Sequence, residues 1–124
     1  MKVAISAAGP TLESVVDPRF GRCSCVVFVE TDDMSFEAID NTNSTLAGGA
    51  GIQSARLVAQ NGAVAVLTGN CGPNAHQTLT AAGIDVIVGC TGTIAETVQR
   101  FKAGELKAVS APNVSSHAGM GEER

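Results

Sequence analysis

Aromatic residues are scarce in this sequence: tryptophan and tyrosine are absent, and phenylalanine occurs only four times in 124 residues. Hydrophobic residues nevertheless make up 44% of the chain. The core must therefore be built from Val, Ile, Leu and Ala, which favours short β-branched strands covered by alanine-rich helices. A chain of this size buries roughly two thirds of its unfolded surface, so one compact core is sufficient.

Basic residues are also few. Eight Lys and Arg stand against twelve Asp and Glu, and the formal net charge is −4. General affinity for nucleic acid requires a clustered basic surface that displaces counterions from phosphates, so we expect no nucleic-acid partner. A folded acidic protein can still carry a local cationic site.

Long apolar runs are missing as well. No run approaches the roughly 20 residues that span a bilayer, and the first nine residues lack the apolar segment and cleavage pattern of an export signal. We therefore expect a cytoplasmic protein without a membrane partner. Because the cytosol keeps thiols reduced, the four cysteines are predicted to be thiols or metal ligands rather than disulfides.

The alternation of apolar segments and turn residues predicts an α/β fold with the order β-β-β-α-β-α-β-α. The second and third strands, joined by a turn at residues 31–34, are expected to form an antiparallel hairpin. Right-handed crossovers make the last two strands parallel, and a first strand beside the fourth completes a mixed five-stranded sheet. The predicted strands are residues 2–7, 25–30, 35–40, 63–67 and 84–88, and the predicted helices are 51–60, 73–82 and 93–103.

The same pattern predicts the domain organisation. Residues 1–109 contain all the predicted elements, without a repeat or a linker, and are expected to form a single binding domain. Residues 110–124 are rich in Ser, Gly and Pro, a composition typical of a flexible C-terminal tail.

The predicted topology brings distant loops to one place. Helices that start near Gly51, Pro73 and Thr93 all begin at the carboxyl end of the parallel strands, where open α/β sheets bind ligands. Helix starts offer unpaired N–H groups and partial positive charge, glycines allow close approach, and two arginines add fixed charge. An anion is therefore the expected ligand, either a phosphate or a sulfido-metal cluster. The residues expected to converge there are Arg19, Arg22, Cys23, 48–51, Asn70, Cys71, Gly72 and Cys90.

The thiols favour metal over phosphate, because soft thiolates suit copper, zinc and iron-sulfur species. Cys23 is the strongest ligand candidate, since the arginine before it favours the thiolate. Cys25 alternates into a strand and is assigned to the core, whereas Cys71 and Cys90, beside glycines, are either ligands or core residues. His76, one turn into the second helix, is either a ligand or a solvated helix residue.

Four segments form an ordered set that spans most of the chain: residues 17–23 (DPRFGRC), 49–53 (GAGIQ), 68–75 (TGNCGPNA) and 81–84 (AAGI). Together they resemble the dinitrogenase iron-molybdenum cofactor biosynthesis family, which includes NifX-like proteins, the carboxyl-terminal region of NifB and the small orange protein of sulfate reducers. The resemblance implies a ribonuclease H-like α/β fold. It also implies a role in carrying a molybdenum-iron-sulfur cofactor or precursor, or a molybdenum-copper sulfide cluster in members similar to the orange protein.

The resemblance extends to the site. Many relatives have a His at the position of Arg19, so here we expect Arg19 and Arg22 to hold the cluster by charge, with Cys23 close by. The segment 111–120 resembles the family's ending, which makes His117 a further candidate. The cofactor-binding candidates are Arg19, Phe20, Gly21, Arg22, Gly49, Gly51, Asn70, Gly72, Asn74 and His117, and the metal-binding candidates are Cys23, Cys71, His76 and Cys90.

The expected function is that of a non-enzymatic carrier, a monomer or weak dimer that exchanges its cluster with donor or acceptor proteins. Two alternatives stay open. A thiolate-ligated zinc or iron-sulfur site would need several thiols at one centre, although the paired Cys-x-x-Cys knuckles of such sites are missing. A thiol redox enzyme is less favoured, because its usual motif is Cys-x-x-Cys and this chain has Cys23-Ser24-Cys25.

Overall fold

The computed structural model describes residues 1–42, 48–109 and 112, which form an open five-stranded sheet with helices on both faces. The strands are β1 (Lys2–Ala7), β2 (Cys25–Glu30), β3 (Phe36–Asp40), β4 (Ala65–Leu67) and β5 (Asp85–Ile87), and the helices are α1 (Ala50–Gln60), α2 (Pro73–Ala81) and α3 (Ile94–Lys102). This order confirms the predicted sequence of elements and the α/β, ribonuclease H-like class.

The sheet has the spatial order β3-β2-β1-β4-β5. β1 lies in the centre, antiparallel to β2 and parallel to β4. The β2–β3 hairpin and the parallel pairing of β4 with β5 are also as predicted. β4 and β5 are shorter than predicted: regular pairing covers Ala65–Leu67 and Asp85–Ile87.

The two faces of the sheet bury separate cores. Alternation along β1 sends Ala4 to one face and Val3 and Ile5 to the other. The α1/α2 face includes the helical residues Ala55, Val58, Ala75 and Leu79, and the α3 face includes Ile94 and Val98. The starts of α1 and α2 are therefore on one side of the sheet and that of α3 on the other.

The chain after α3 passes around the β5 edge. Leu106 packs on the α3 face and Val109 on the α1/α2 face, where Val109 N–H donates to Val86 O at 2.8 Å. His117 and nearly all of the predicted tail lie outside the described residues. Within the described ranges, every helix is too short or too polar to cross a membrane.

Candidate functional site

The loop after β1 carries both candidate arginines, and its central part, residues 17–23, is named the arginine loop here. Its first residue is held by Ser6 in β1: Asp17 N–H donates to Ser6 O at 2.8 Å, and Ser6 Oγ donates to Asp17 O at 2.7 Å. Ser6 Oγ also lies 2.6 Å from Thr68 Oγ1, just after β4. Ser6 and Thr68 are completely buried, so these bonds tie the arginine loop to the carboxyl ends of two neighbouring strands.

The middle of the arginine loop runs beside the chain that leaves β4. Arg19 and Asn70 form a parallel bridge, in which Phe20 N–H donates to Asn70 O at 3.2 Å and Asn70 N–H to Pro18 O at 2.7 Å. Gly69 allows this approach, since a Cβ there would lie only 2.6 Å from Pro18 Cα. The predicted convergence of Arg19 with Asn70 thus has a direct backbone basis.

The starts of α1 and α2 lie against each other and against the arginine loop. A Cβ on Gly21 would be 3.0 Å from Gly51 Cα, and a Cβ on Gly51 would be 3.3 Å from Ala75 Cβ. The N-caps are Gly49 and Gly72, and neither helix has a side-chain cap or an acidic residue in its first turn. The positive partial charge of both helix starts is therefore not offset by their own side chains.

The start of α3 differs, which corrects the expectation that three helix starts supply N–H groups. Thr93 and Glu96 form a capping box: Glu96 N–H donates to Thr93 Oγ1 at 3.1 Å, and Thr93 N–H to Glu96 Oε1 at 2.9 Å. The Thr93 N–H bond lowers the pKa of the Glu96 carboxyl, so the helix start carries a negative side chain. Two helix starts, not three, are suited to an anion.

Both arginines are exposed on the arginine loop. Arg22 N–H donates to Arg19 O at 3.2 Å, so the two residues stand at the ends of one tight turn. Asp17 Oδ1 accepts from Arg19 N–H at 2.9 Å and lies 3.4 Å from Arg19 Nε. Because the Asp17 carboxylate is buried and the Arg19 side chain is 67% exposed, this ion pair fixes the inner part of the side chain and leaves most of it in solvent.

Comparison with known proteins identifies the same family as the four sequence segments. The family model for dinitrogenase iron-molybdenum cofactor matches residues 1–104. The chain belongs to this family. Membership predicted from the sequence is thereby confirmed.

Similar proteins match this family member over nearly their whole lengths. The apo orange protein of Desulfovibrio gigas is 43% identical with a TM-score of 0.88, covering 90% of this chain and 95% of that one. A NifB-type protein of Thermotoga is 30% identical with a TM-score of 0.77, covering 89% and 94%. An uncharacterised protein of Methanocaldococcus jannaschii is 34% identical over 110 residues, or 86% of this chain and 90% of its own.

The four cysteines of this iron-molybdenum cofactor family protein are buried and form no disulfide. Cys23 and Cys71 belong to the core of the α1/α2 face, whereas Cys25 and Cys90 belong to that of the α3 face. Cys90 was expected to converge with Cys23 and Cys71, and the sheet separates it from them. Cys25 lies in a core, as expected. No group of three or more metal-ligating side chains forms within residues 1–42, 48–109 and 112, which leaves the four-thiol alternative without support there.

Burial also decides the protonation of the thiols. Desolvation is the largest cause that raises the pKa of each, and for Cys71 the pKa rises to about 11. At neutral pH all four are therefore protonated, although the sequence suggested that an arginine would favour a Cys23 thiolate. The Cys23 side chain is fully buried, and its desolvation, reinforced by the nearby Asp17 carboxylate, raises the pKa of its thiol. Metal ligation by Cys23 or Cys71 in this conformation would require deprotonation in the core.

The two remaining polar candidates lie on α2. His76 is buried, with Nε2 3.5 Å from Val109 O, so its ring contacts the segment that passes around the β5 edge. Asn74 is exposed in the first turn of the helix, where its backbone belongs to the uncapped start. His76 is thus engaged by the chain itself, while Asn74 keeps its predicted place beside the helix start.

Several buried polar residues of the site were not singled out from the sequence. Ser6 interrupts an otherwise apolar strand, and a polar residue at such a place is a signal that could have been used. Thr68 follows an apolar strand in the same way. Asn41 and Ser54 gave no comparable signal, because Asn41 stands among other polar residues and Ser54 in an ordinary helical segment.

The high pKa of Cys71 gives a testable dependence of stability on pH. The pKa of Cys71 lies near 9.0 in the unfolded chain and about 11 in the folded protein. The protonated thiol therefore stabilises the folded protein fully below about pH 9, and this stabilisation is lost as the pH rises to about 11. Denaturant unfolding gives the free energy of unfolding at pH 8 and at pH 11. Between these pH values it should fall by about 2–3 kcal/mol more in the wild type than in Cys71→Ala. Equal losses in the two proteins would contradict the buried-thiol assignment.

Proposed function

We propose that this protein binds and carries an anionic molybdenum-containing metal-sulfur cluster where the arginine loop meets the starts of α1 and α2. The observation that carries the proposal is the contact of two helix starts without side-chain caps with a loop that bears Arg19 and Arg22. Backbone N–H groups, helix dipoles and guanidinium groups all favour an anion. Family membership gives the class of cargo.

Charge and hydrogen bonds, rather than thiolates, are proposed to hold the cluster. The sulfur atoms of metal-sulfur clusters accept N–H hydrogen bonds, which the first turns of α1 and α2 can donate. Cys23, at the end of the arginine loop, and Cys71, after β4, are buried and protonated. Holding the cluster by charge therefore requires no change in the core. Phe20 and Gly21, between the two arginines, are buried: Phe20 packs in the core of the α1/α2 face and Gly21 lies against Gly51, so both anchor the loop beneath the proposed cargo.

The glycines at the helix starts support this mode of binding. Gly49 has a φ of 77°, a left-handed conformation that side chains disfavour, and a Cβ there would meet no atom within 4 Å, so the backbone at the start of α1 is uncovered at this residue. A bulky cluster approaches such a surface more closely than one covered by side chains. The protein is accordingly proposed to be a carrier that receives its cargo from one protein and delivers it to another, without catalysis.

Reconstitution tests the proposal. Purified protein is mixed with tetrathiomolybdate and copper, or in a separate experiment with a source of iron-molybdenum cofactor, and passed through a gel-filtration column. We expect a visible chromophore and stoichiometric molybdenum to elute with the protein. Since the chain contains neither Trp nor Tyr, cluster absorption in the near ultraviolet is readily distinguished from that of the protein.

The metal content separates the alternatives. In protein purified from its own cell, molybdenum with copper, or molybdenum with iron, identifies which cluster is carried. Stoichiometric zinc or iron without molybdenum would instead favour the thiolate-ligated site, and protein that elutes without any chromophore from both reconstitutions would refute the carrier function.

A further inference from the structure

A single buried amide joins the two halves of the proposed site. Asn41, directly after β3, is 3% exposed. Its Nδ2 donates to Gly21 O at 3.2 Å and to Cys23 O at 3.0 Å. These two carbonyls stand on either side of Arg22, so the amide fixes the backbone that carries this arginine.

The other end of the same amide contacts α1. Ser54, fully buried in the helix, donates its Oγ–H to Asn41 Oδ1 at 3.1 Å. The orientation of the amide follows from chemistry, because two carbonyl acceptors require the NH2 group and a carbonyl oxygen suits the hydroxyl donor. Asn41 thereby connects the arginine loop with the helix whose start lies against Gly21.

We infer that Asn41, supported by Ser54, is a positioning residue for anion binding: it holds Arg22 and the start of α1 in one fixed arrangement before the cargo arrives. This inference rests on the proposed function. The hydrogen bonds of a buried side-chain amide hold its partners rigidly, because each donor or acceptor would be left unsatisfied without them. Without them the loop would occupy the binding arrangement for only part of the time, and the apparent affinity would fall by that fraction.

The first test needs no ligand. The Arg22 amide is hydrogen-bonded to Arg19 O, and its hydrogen exchange reports opening of the turn. In Asn41→Ala we expect exchange at Arg22 to be about tenfold faster. Asn61→Ala is the matched control, because Asn61 makes a comparable side-chain bond to Leu57 O at the far end of α1. Unchanged exchange at Arg22 in Asn41→Ala would overturn the inference.

The second test is a double-mutant cycle with tetrathiomolybdate and copper as the probe. In the wild-type background, Asn41→Ala should weaken binding of the probe about tenfold. In the Arg22→Gln background the effect should be much smaller, because the guanidinium group that Asn41 positions is then missing. Equal effects in both backgrounds would mean a merely structural role and would overturn the inference. If Asn41→Ala fails to fold, Ser54→Ala removes only the helical half of the arrangement and should show the same non-additivity.

Failure of the proposed function and failure of the positioning role of Asn41 give different experimental results. If wild-type protein binds neither tetrathiomolybdate with copper nor iron-molybdenum cofactor, the proposed function fails, and the positioning role falls with it even when exchange at Arg22 responds to Asn41→Ala. If the wild type binds and Asn41→Ala binds equally well, the proposed function stands and only the positioning role is refuted.

Discussion

Replacing Arg19 and Arg22 together by glutamine is expected to weaken cluster retention by at least about 100-fold, because each charged hydrogen bond to an anion contributes about 1.5–3 kcal/mol and every 1.4 kcal/mol is about tenfold in affinity. Both side chains are exposed at the ends of one turn, so their loss removes charge without opening the core. Cys25→Ala should leave retention unchanged, since Cys25 lies in the core of the α3 face. Retention is measured as molybdenum per protein after gel filtration, together with the dissociation constant of the probe.

A control with the same change in net charge separates local from general electrostatics. Lys2 begins β1 and Lys102 ends α3, so both lie at the end of the sheet opposite the arginine loop. The double variant Lys2→Gln/Lys102→Gln should retain the cluster as the wild type does. Similar losses in the two double variants would indicate a dependence on net charge alone and would contradict a local site. Added salt should weaken binding to the wild type as it screens the exposed guanidinium groups.

Gly69→Ala is expected to lower the stability of the folded protein by about 3 kcal/mol, because the new methyl group would overlap the neighbouring chain. The added Cβ would lie 2.6 Å from Pro18 Cα and 2.9 Å from Pro18 O. Since both are backbone atoms, the overlap is relieved only by moving the arginine loop away from the chain after β4. The unfolding temperature should fall by about 12 °C. Anion binding should also weaken, because the arginine loop moves.

Gly48→Ala is the matched control for this substitution. A Cβ on Gly48 would meet no atom within 4 Å, and the residue precedes α1 as Gly69 precedes α2. Its unfolding temperature should therefore be close to that of the wild type. If Gly69→Ala unfolded at the same temperature as Gly48→Ala, the tight approach of Pro18 to Gly69 would not be a feature of the protein in solution.

Local pattern was sufficient for most of the fold. The β2–β3 hairpin and the parallel β4–β5 pair follow from apolar segments of the right length and from turn residues between them. Topology alone points to the carboxyl ends of the parallel strands as the edge at which an anion is proposed to bind. The capped start of α3 also has a local sequence signal, the capping-box pattern Thr93-Ile94-Ala95-Glu96.

The state of the thiols and the rigidity of the arginine loop were decided by the tertiary structure. A thiol pKa depends on the atoms that exclude water from it, and these come from several elements; proximity to Arg22 in sequence therefore gave the wrong expectation for Cys23. The bond between Ser6 and Thr68 joins residues 62 apart, and that between Ser54 and Asn41 joins residues 13 apart. Contacts between residues so far apart leave no periodic pattern in the local sequence from which they could be predicted.

The sequence by itself determined the family, the order of the elements and the edge of the sheet at which we propose that an anion binds, because these depend on local pattern and on the handedness of the connections. The folded chain decided which helix starts are accessible, which thiols are protonated and which buried amide holds Arg22. These properties arise from burial and from contacts between distant segments, and they exist only when the segments are packed together.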